Sequence, residues 1–232
     1  MIKKIDILGI RLDNYTVRET VRQVESFLGG DAMIAIEQIS MQMLIDSEND
    51  PVLKEVMSAL DLTVIGEKEI LKAAGIGTMQ RLKETEDNDF SIEFFRRIER
   101  NKMSVFLLGE TQERLAEVKE ALNREFPRMI SAGSYAVEHC KGDFETAINE
   151  MNATTPDVVV SILPSPLQEH FFHENKGKIS AGIWYGTGGA GIGRRRSGVR
   201  TFLKNMVHLG KLKSSMIRYQ EKNPEGKENE VH

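Results

Sequence analysis

Short apolar runs that alternate with amphipathic stretches constrain this 232-residue chain more than any other feature. Such alternation marks successive βαβ units, and so a parallel sheet with helices on its faces. The apolar runs predict strands at Ile5–Ile10, Ala32–Ile39, Leu62–Ile65, Ser104–Leu108, Arg128–Ser134, Asp157–Leu163 and Gly182–Tyr185. Between them, apolar residues recur at helical spacing, as in Val17, Val21, Val24 and Phe27. Helices are predicted over Val17–Phe27, Met41–Ser47, Pro51–Leu60, Ser91–Arg100 (capped by Ser91), Thr111–Glu125 and Phe144–Asn152. The acidic run Glu84–Asp89 reads as a flexible surface loop.

With 40% hydrophobic and 28% charged residues, the chain is neither disordered throughout nor fibrous. Its length suits one large domain or two intimately packed ones. The single cysteine, Cys140, excludes a disulfide framework and a CxxC zinc site. No apolar run approaches the roughly 20 residues of a membrane-spanning helix. The start, interrupted by Asp6, is not a signal peptide, so a soluble protein of a reducing compartment is expected.

Charge is distributed unevenly. Asn175–Gln220 holds ten Lys or Arg and no acid, whereas the tail Glu221–His232 carries a net −2. A chain total of −4 therefore leaves −12 on the first 174 residues. An acidic body with one basic patch points to an anionic ligand or surface. The organisation expected is an α/β domain over 1–193, a basic appendage over 194–220 and a disordered tail over 221–232.

Four segments are candidates for chemistry. Val105–Gly109 ends a buried-strand pattern at a helix start, where free N–H groups favour anions, although many α/β proteins share the feature. Val158–Glu169 runs a strand into Pro164-Ser165-Pro166 and then Gln168-Glu169. That polar pair suits ligand binding beyond a strand end, or a solvent-facing first helical turn. Gly186–Gly193 contains G-x-G-x-x-G but no acid about 20 residues on, which speaks against a dinucleotide fingerprint. Glycines beside Arg194, Arg195 and Arg196 suit a phosphate or diphosphate, or form a flexible basic loop. Val199–Tyr219 can be drawn as a basic amphipathic helix, though Gly210 weakens it; it would lie on a membrane, pack on its own domain or bind a partner. His170 and His173 share a helix turn without a third ligand, so no metal site is expected. His139-Cys140 is a poor nucleophile–base pair, and Cys140 reads as structural.

Taken together, Ile7–Asn14, Asp61–Ile65, Ser104–Gly109 with Glu117–Pro127, Gly133-Ser134-Tyr135, Pro164–Glu169 and Gly182–Gly189 resemble motifs of the WecG/TagA/CpsF glycosyltransferases, glycosyltransferase family 26. The most specific is Pro164-Ser-Pro-Leu-Gln-Glu169, which is similar to the family's PkQE element. The resemblance implies a Rossmann-like parallel sheet flanked by helices, with a basic helical C-terminal appendage. It also implies an inverting, metal-free and cofactor-free transfer of an N-acetylmannosamine-like sugar from a UDP-sugar donor to a polyprenyl-diphosphate-linked acceptor, in cell-surface polysaccharide or teichoic acid synthesis. The protein would be cytoplasmic and peripheral on the inner face of an anionic membrane surface. A homo-oligomer is compatible with this expectation; nucleic acid is not, because no aromatic platform or helix-turn-helix pattern accompanies the basic patch.

Residue by residue, Gly66 stands where the family has its proposed catalytic aspartate, and Glu67 beside it is the acid left to act as base. Gln38 and Ser40 stand where the family has a threonine and an asparagine, and Arg81 resembles its central arginine. Gln168 would hydrogen-bond the donor. Gly186, Gly188 and Gly189, with Arg194, Arg195, Arg196, Arg200 and Arg218, would neutralise the diphosphate. The alternative implied by the lost aspartate is a catalytically degenerate member that binds nucleotide sugar or acts as a scaffold at the membrane.

Overall fold

A computed structural model describes residues 4–28, 30, 32–188 and 199–223, with only the backbone of 199–204. The chain opens with β1 (Lys4–Ile7) and β2 (Ile10–Asp13), an antiparallel hairpin where a single strand over Ile5–Ile10 was expected. The reason is local: Leu8 (φ 58°) and Gly9 (φ 81°) are both left-handed, as a two-residue hairpin turn requires. Then follow α1 (Val17–Phe27), β3 (Ile34–Ile39), α2 (Met41–Asp46), α3 (Pro51–Ala59), β4 (Leu62–Ile65), α4 (Lys68–Ala73), α5 (Met79–Glu86) and α6 (Asp89–Arg100). The second half holds β5 (Ser104–Gly109), α7 (Gln112–Glu125), β6 (Ile130–Ala136), α8 (Glu145–Ala153), β7 (Val158–Ser161), α9 (Leu167–Asn175), β8 (Ile183–Gly186) and α10 (Val199–Lys222).

Strands β3 to β8 form one six-stranded sheet in the order β4-β3-β8-β7-β5-β6, every neighbouring pair parallel. Both faces are covered, so the strands are apolar almost throughout. On one face Val21, Val24, Phe94, Leu115 and Leu122 pack on Ile36, Leu107 and Val160. On the other, Val56, Ile148 and Phe171 pack on Ala35, Val159 and Trp184. A third cluster joins the hairpin, α2 and α4 to α10, which inserts Leu212 fully into it. Gly210 does not interrupt α10, whose Leu209, Leu212, Met216 and Tyr219 pack on this cluster on both sides of it.

Glu84–Asp89 is not a flexible loop. Helix α5 runs through Glu86, Asn88 makes the turn in the left-handed region (φ 57°), and Asp89 begins α6. Thr85 and Asn88 are buried at this corner, and Thr85 Oγ1 donates to Arg81 O (2.9 Å). Asn tolerates that backbone better than most residues, which is why a polar run can turn sharply here. Ser91 consequently lies buried inside α6 rather than at its cap.

Candidate active site at the carboxyl ends of the strands

Strand register places Thr63, Glu37, Gly186, Ser161, Leu108 and Tyr135 in one row across β4, β3, β8, β7, β5 and β6. The row lies near the carboxyl ends, where open parallel sheets bind ligands. At its centre is a buried polar cluster: Glu37 (1% exposed), Gln168 (1%) and Glu169 (0%). Gln168 reaches it from the first turn of α9, just after the Pro164–Pro166 exit from the sheet. Its Nε2 donates to Glu37 Oε1 and also to Glu169 Oε1 (3.3 Å). Gln168 and Glu169 therefore point inward, not into solvent.

Gly186 forms the roof of this cluster. A Cβ there would stand 2.5 Å from Gln168 Nε2 and 3.1 Å from Glu37 Oε1, so only glycine lets β8 close over the pair. Gly188 is left-handed (φ 55°), and a Cβ on it would run into the Gln38 carbonyl oxygen and stand 2.9 Å from Met43 Sδ. Thr187 between them is buried, its N and Oγ1 both donating to Ser161 O at 3.0 Å.

Burial, and then the neighbouring charge of Glu169, pushes the Glu37 carboxyl well above its ordinary value of 4.5. The stability tied to that proton is complete below about pH 4.5 and is lost as pH rises toward the folded value, at about 1.4 kcal/mol per pH unit. Glu37→Gln, which cannot ionise, is expected to remove this slope. Urea denaturation from about pH 4.5 upward checks it: equal pH slopes in wild type and variant would contradict the assignment.

Successive strand residues face opposite ways, so Gln38 leaves this cluster for the other side of the sheet. There its Nε2 donates to Asn88 Oδ1 (2.6 Å), and it lines a small cavity of about 20 Å³ with Asp13, Thr63, Arg81 and Glu84. Arg81 is buried and pairs with Glu84 (3.3 Å); burial lowers its affinity for the proton while Glu84 restores part of it. Gln38 Oε1 and Arg81 Nε have no hydrogen-bond partner among the described residues, which marks a polar site with unused capacity.

Glu67 lies just past the end of β4, at the N-cap of α4. Gly66 N donates to Ile39 O (2.8 Å), and Glu67 Oε2 accepts from Met41 N (2.9 Å) at the first turn of α2. Ser40 Oγ caps the same helix by accepting from Met43 N (3.2 Å). The chain over Gln38–Ser40 and the Gly66-Glu67 corner are thus tied into one unit at the carboxyl edge of the sheet.

A comparison of the sequence with known protein families matches residues 5–191 to the WecG/TagA/CpsF glycosyl transferases. The chain belongs to this family. Its relatives include N-acetylglucosaminyldiphosphoundecaprenol N-acetyl-beta-D-mannosaminyltransferase of Staphylococcus aureus, 24% identical over 198 residues, or 81% of this chain and 74% of the relative. The enzyme of the same name from Bacillus spizizenii is 24% identical over 192 residues, 82% and 71% of the two chains. A glycosyltransferase with a fully parallel sheet is the fold expected from the motifs.

Gln168 and Gly186 meet directly; Gly188 and Gln38 meet through backbone; Arg81 lines the small cavity with Gln38; Ser40 and Glu67 both hold the start of α2. Arg218 is elsewhere. It stands beyond the end of α2, a helix about 9 Å long, with Nη2 3.1 Å from Ser215 Oγ and 3.8 Å from Glu48 Oε2. Gly189, Arg194, Arg195 and Arg196 and the side chain of Arg200 lie outside the described residues, as does the tail from 224. The motifs did not flag Glu37 or Asn88. Glu37 had a visible signal, an acid in the middle of the apolar strand Ile34–Ile39, where an unpartnered charge is rarely tolerated.

Proposed function

We propose that this chain transfers an N-acetylmannosamine-like sugar from a UDP-sugar to a polyprenyl-diphosphate-linked amino sugar, with inversion. The observation that carries the proposal is the convergence of Gln168, Gly186 and Gly188 at the carboxyl ends of adjacent parallel strands, in a chain of this family. Donor diphosphate would lie over Gly186–Gly188, with Arg194, Arg195, Arg196 and Arg200 supplying the cations that its departure needs; Arg218, held near Glu48, is left out of this set. On the acceptor side, Glu67 would take the hydroxyl proton as the oxygen attacks the anomeric carbon and the bond to the UDP β-phosphate oxygen breaks. Gln38, Ser40 and Arg81 would hydrogen-bond the sugar at the carboxyl edge of the sheet.

A second reading, binding without turnover, draws on the engagement of the Glu67 carboxylate by Met41 N–H. Purified protein incubated with UDP-N-acetylmannosamine and a lipid-diphosphate N-acetylglucosamine acceptor separates the two. Release of UDP with formation of a disaccharide lipid supports transfer, whereas calorimetric UDP binding without product supports the degenerate reading. Wild-type UDP affinity in Gln168→Ala would remove the donor from this site.

Helix α10 would set the protein on an anionic membrane face. No helix among the described residues is long and apolar enough to cross a bilayer. The exposed side of α10, however, carries Met206 (58%), Val207 (59%) and Ile217 (57%), interleaved with exposed Lys211, Lys213 and Arg218. Apolar side chains among cations suit shallow insertion, each cation near such a surface adding on the order of 1 kcal/mol. Salt-sensitive co-sedimentation with anionic but not neutral vesicles is expected, and it should drop in a Lys211→Glu, Lys213→Glu variant. Surface substitutions test this better than truncation, which would take Leu212 out of the apolar cluster it fills. Undiminished sedimentation of that variant would refute the docking face.

A further inference from the structure

Two carboxyl groups, Glu37 and Glu169, lie within hydrogen-bonding reach of each other in a site with no exposure, and one amide serves both. No cation compensates them among the described residues. On α9, His170 Nε2 turns to Asp50 (2.8 Å) and His173 to Glu55 of α3. Lys54 of α3 donates to Leu8 O. On β4 the neighbour in register is Thr63, whose hydroxyl is taken by Asp13, itself paired with Lys4. On β8 and β7 the row continues through Gly186 and Ser161, which carry no charge. Glu169 Oε2 has no donor in the site other than a proton on its neighbour. Two buried carboxylates at such a distance cannot both be ionised.

We propose that Glu37 and Glu169 hold one proton between them beneath Gly186, and that this neutral bridge floors the diphosphate site, so that an anionic donor is admitted only while Glu37 is protonated. The proposal rests on the donor placement given above. Geometry supplies the coupling. The Cβ position of Gly186 points at the pair, 3.1 Å from Glu37 Oε1, so the acid pair packs directly under the β8 backbone. A second charge on the pair would face the diphosphate across a single backbone layer in a dry site, where like charges repel most strongly. Glu37 also holds the Gln168 amide, so loss of its proton changes the partner of the residue assigned to the donor. Glu37 is thus a positioning residue, acting through Gln168 and through its own charge state.

The test uses the full chain, Glu37→Gln and Glu37→Leu, with UDP as the probe. Calorimetry from about pH 5 upward should show wild-type affinity falling once pH passes the raised Glu37 value, with a limiting slope of about tenfold per pH unit. Glu37→Gln keeps both hydrogen bonds without an ionisable proton, so it should show only the shallow dependence of UDP itself. Glu37→Leu, which strands the Gln168 amide, should bind more weakly than Glu37→Gln throughout. Infrared spectra of the ligand-free proteins supply a second readout: a protonated-carboxyl stretch in wild type that persists to higher pH than those of solvated carboxyls and is missing from Glu37→Gln. Superimposable pH profiles of wild type and Glu37→Gln, or absence of the acid band, would overturn the proposal while leaving UDP binding intact. Absence of UDP binding at every pH, with the acid band present, would overturn the donor placement and with it the gate.

Discussion

Replacing Gly188 by valine is expected to destabilise the protein by about 2–5 kcal/mol, combining a left-handed backbone on a branched residue with a side chain forced into filled space. The collision is with the backbone carbonyl of Gln38 at the end of β3, which cannot rotate away as a side-chain tip could. Either β8 moves off β3 or the Gln38–Ser40 corner shifts, and both displace the start of α2. UDP affinity should fall with stability. Gly75→Ala separates strain from crowding: Gly75 has a similar φ of 68° but nothing within reach of a Cβ, so only the backbone cost of about 1 kcal/mol should appear. Urea midpoints read both effects, and a Gly188→Val midpoint equal to that of wild type would refute this packing.

Conversion of Glu67 to glutamine is expected to lower turnover by about 10²–10⁴-fold, the usual loss when a general base is removed. The fold should survive, because the glutamine carbonyl oxygen can still accept from Met41 N as Glu67 Oε2 does. Loss of rate at unchanged melting temperature and unchanged UDP affinity would then report proton transfer rather than packing. Glu67→Ala, which leaves Met41 N–H without that acceptor, should lower stability as well, by about 1 kcal/mol. Turnover unchanged in Glu67→Gln would exclude Glu67 as base.

Much of the architecture is written in local periodicity. Helix α1 spans the residues its 3-to-4 spacing predicts, closed by a Thr16–Glu19 capping box, and the core strands fall within a few residues of their apolar runs. Errors arose where one backbone angle outweighed composition. Leu8-Gly9 folded an apolar run back on itself, and Asn88 turned an acidic stretch into a helix–helix corner. Neither angle is visible in hydropathy, because it reflects what the chain packs against on each side.

For the site, the sequence by itself determined which residue types stand at strand ends: the Gln168-Glu169 pair after its proline exit, the glycines of 186–188, and Glu67 after β4. Their order is a property of one chain segment at a time, so patterns can carry it. Tertiary structure alone decided their company. Glu37 and Gln168 are 131 residues apart and meet only because β8, near the end of the chain, pairs with β3. The pleat then sends Gln38 to Arg81 and Glu37 to Glu169, on opposite faces of the same strand. Arg218, grouped by charge with the diphosphate arginines, was drawn instead to Glu48 by the packing of α10 around Leu212. The physical reason is shared by all three. Burial, proton sharing and ion pairing depend on distances across the sheet, which strand order and register set, and no window along the chain contains them.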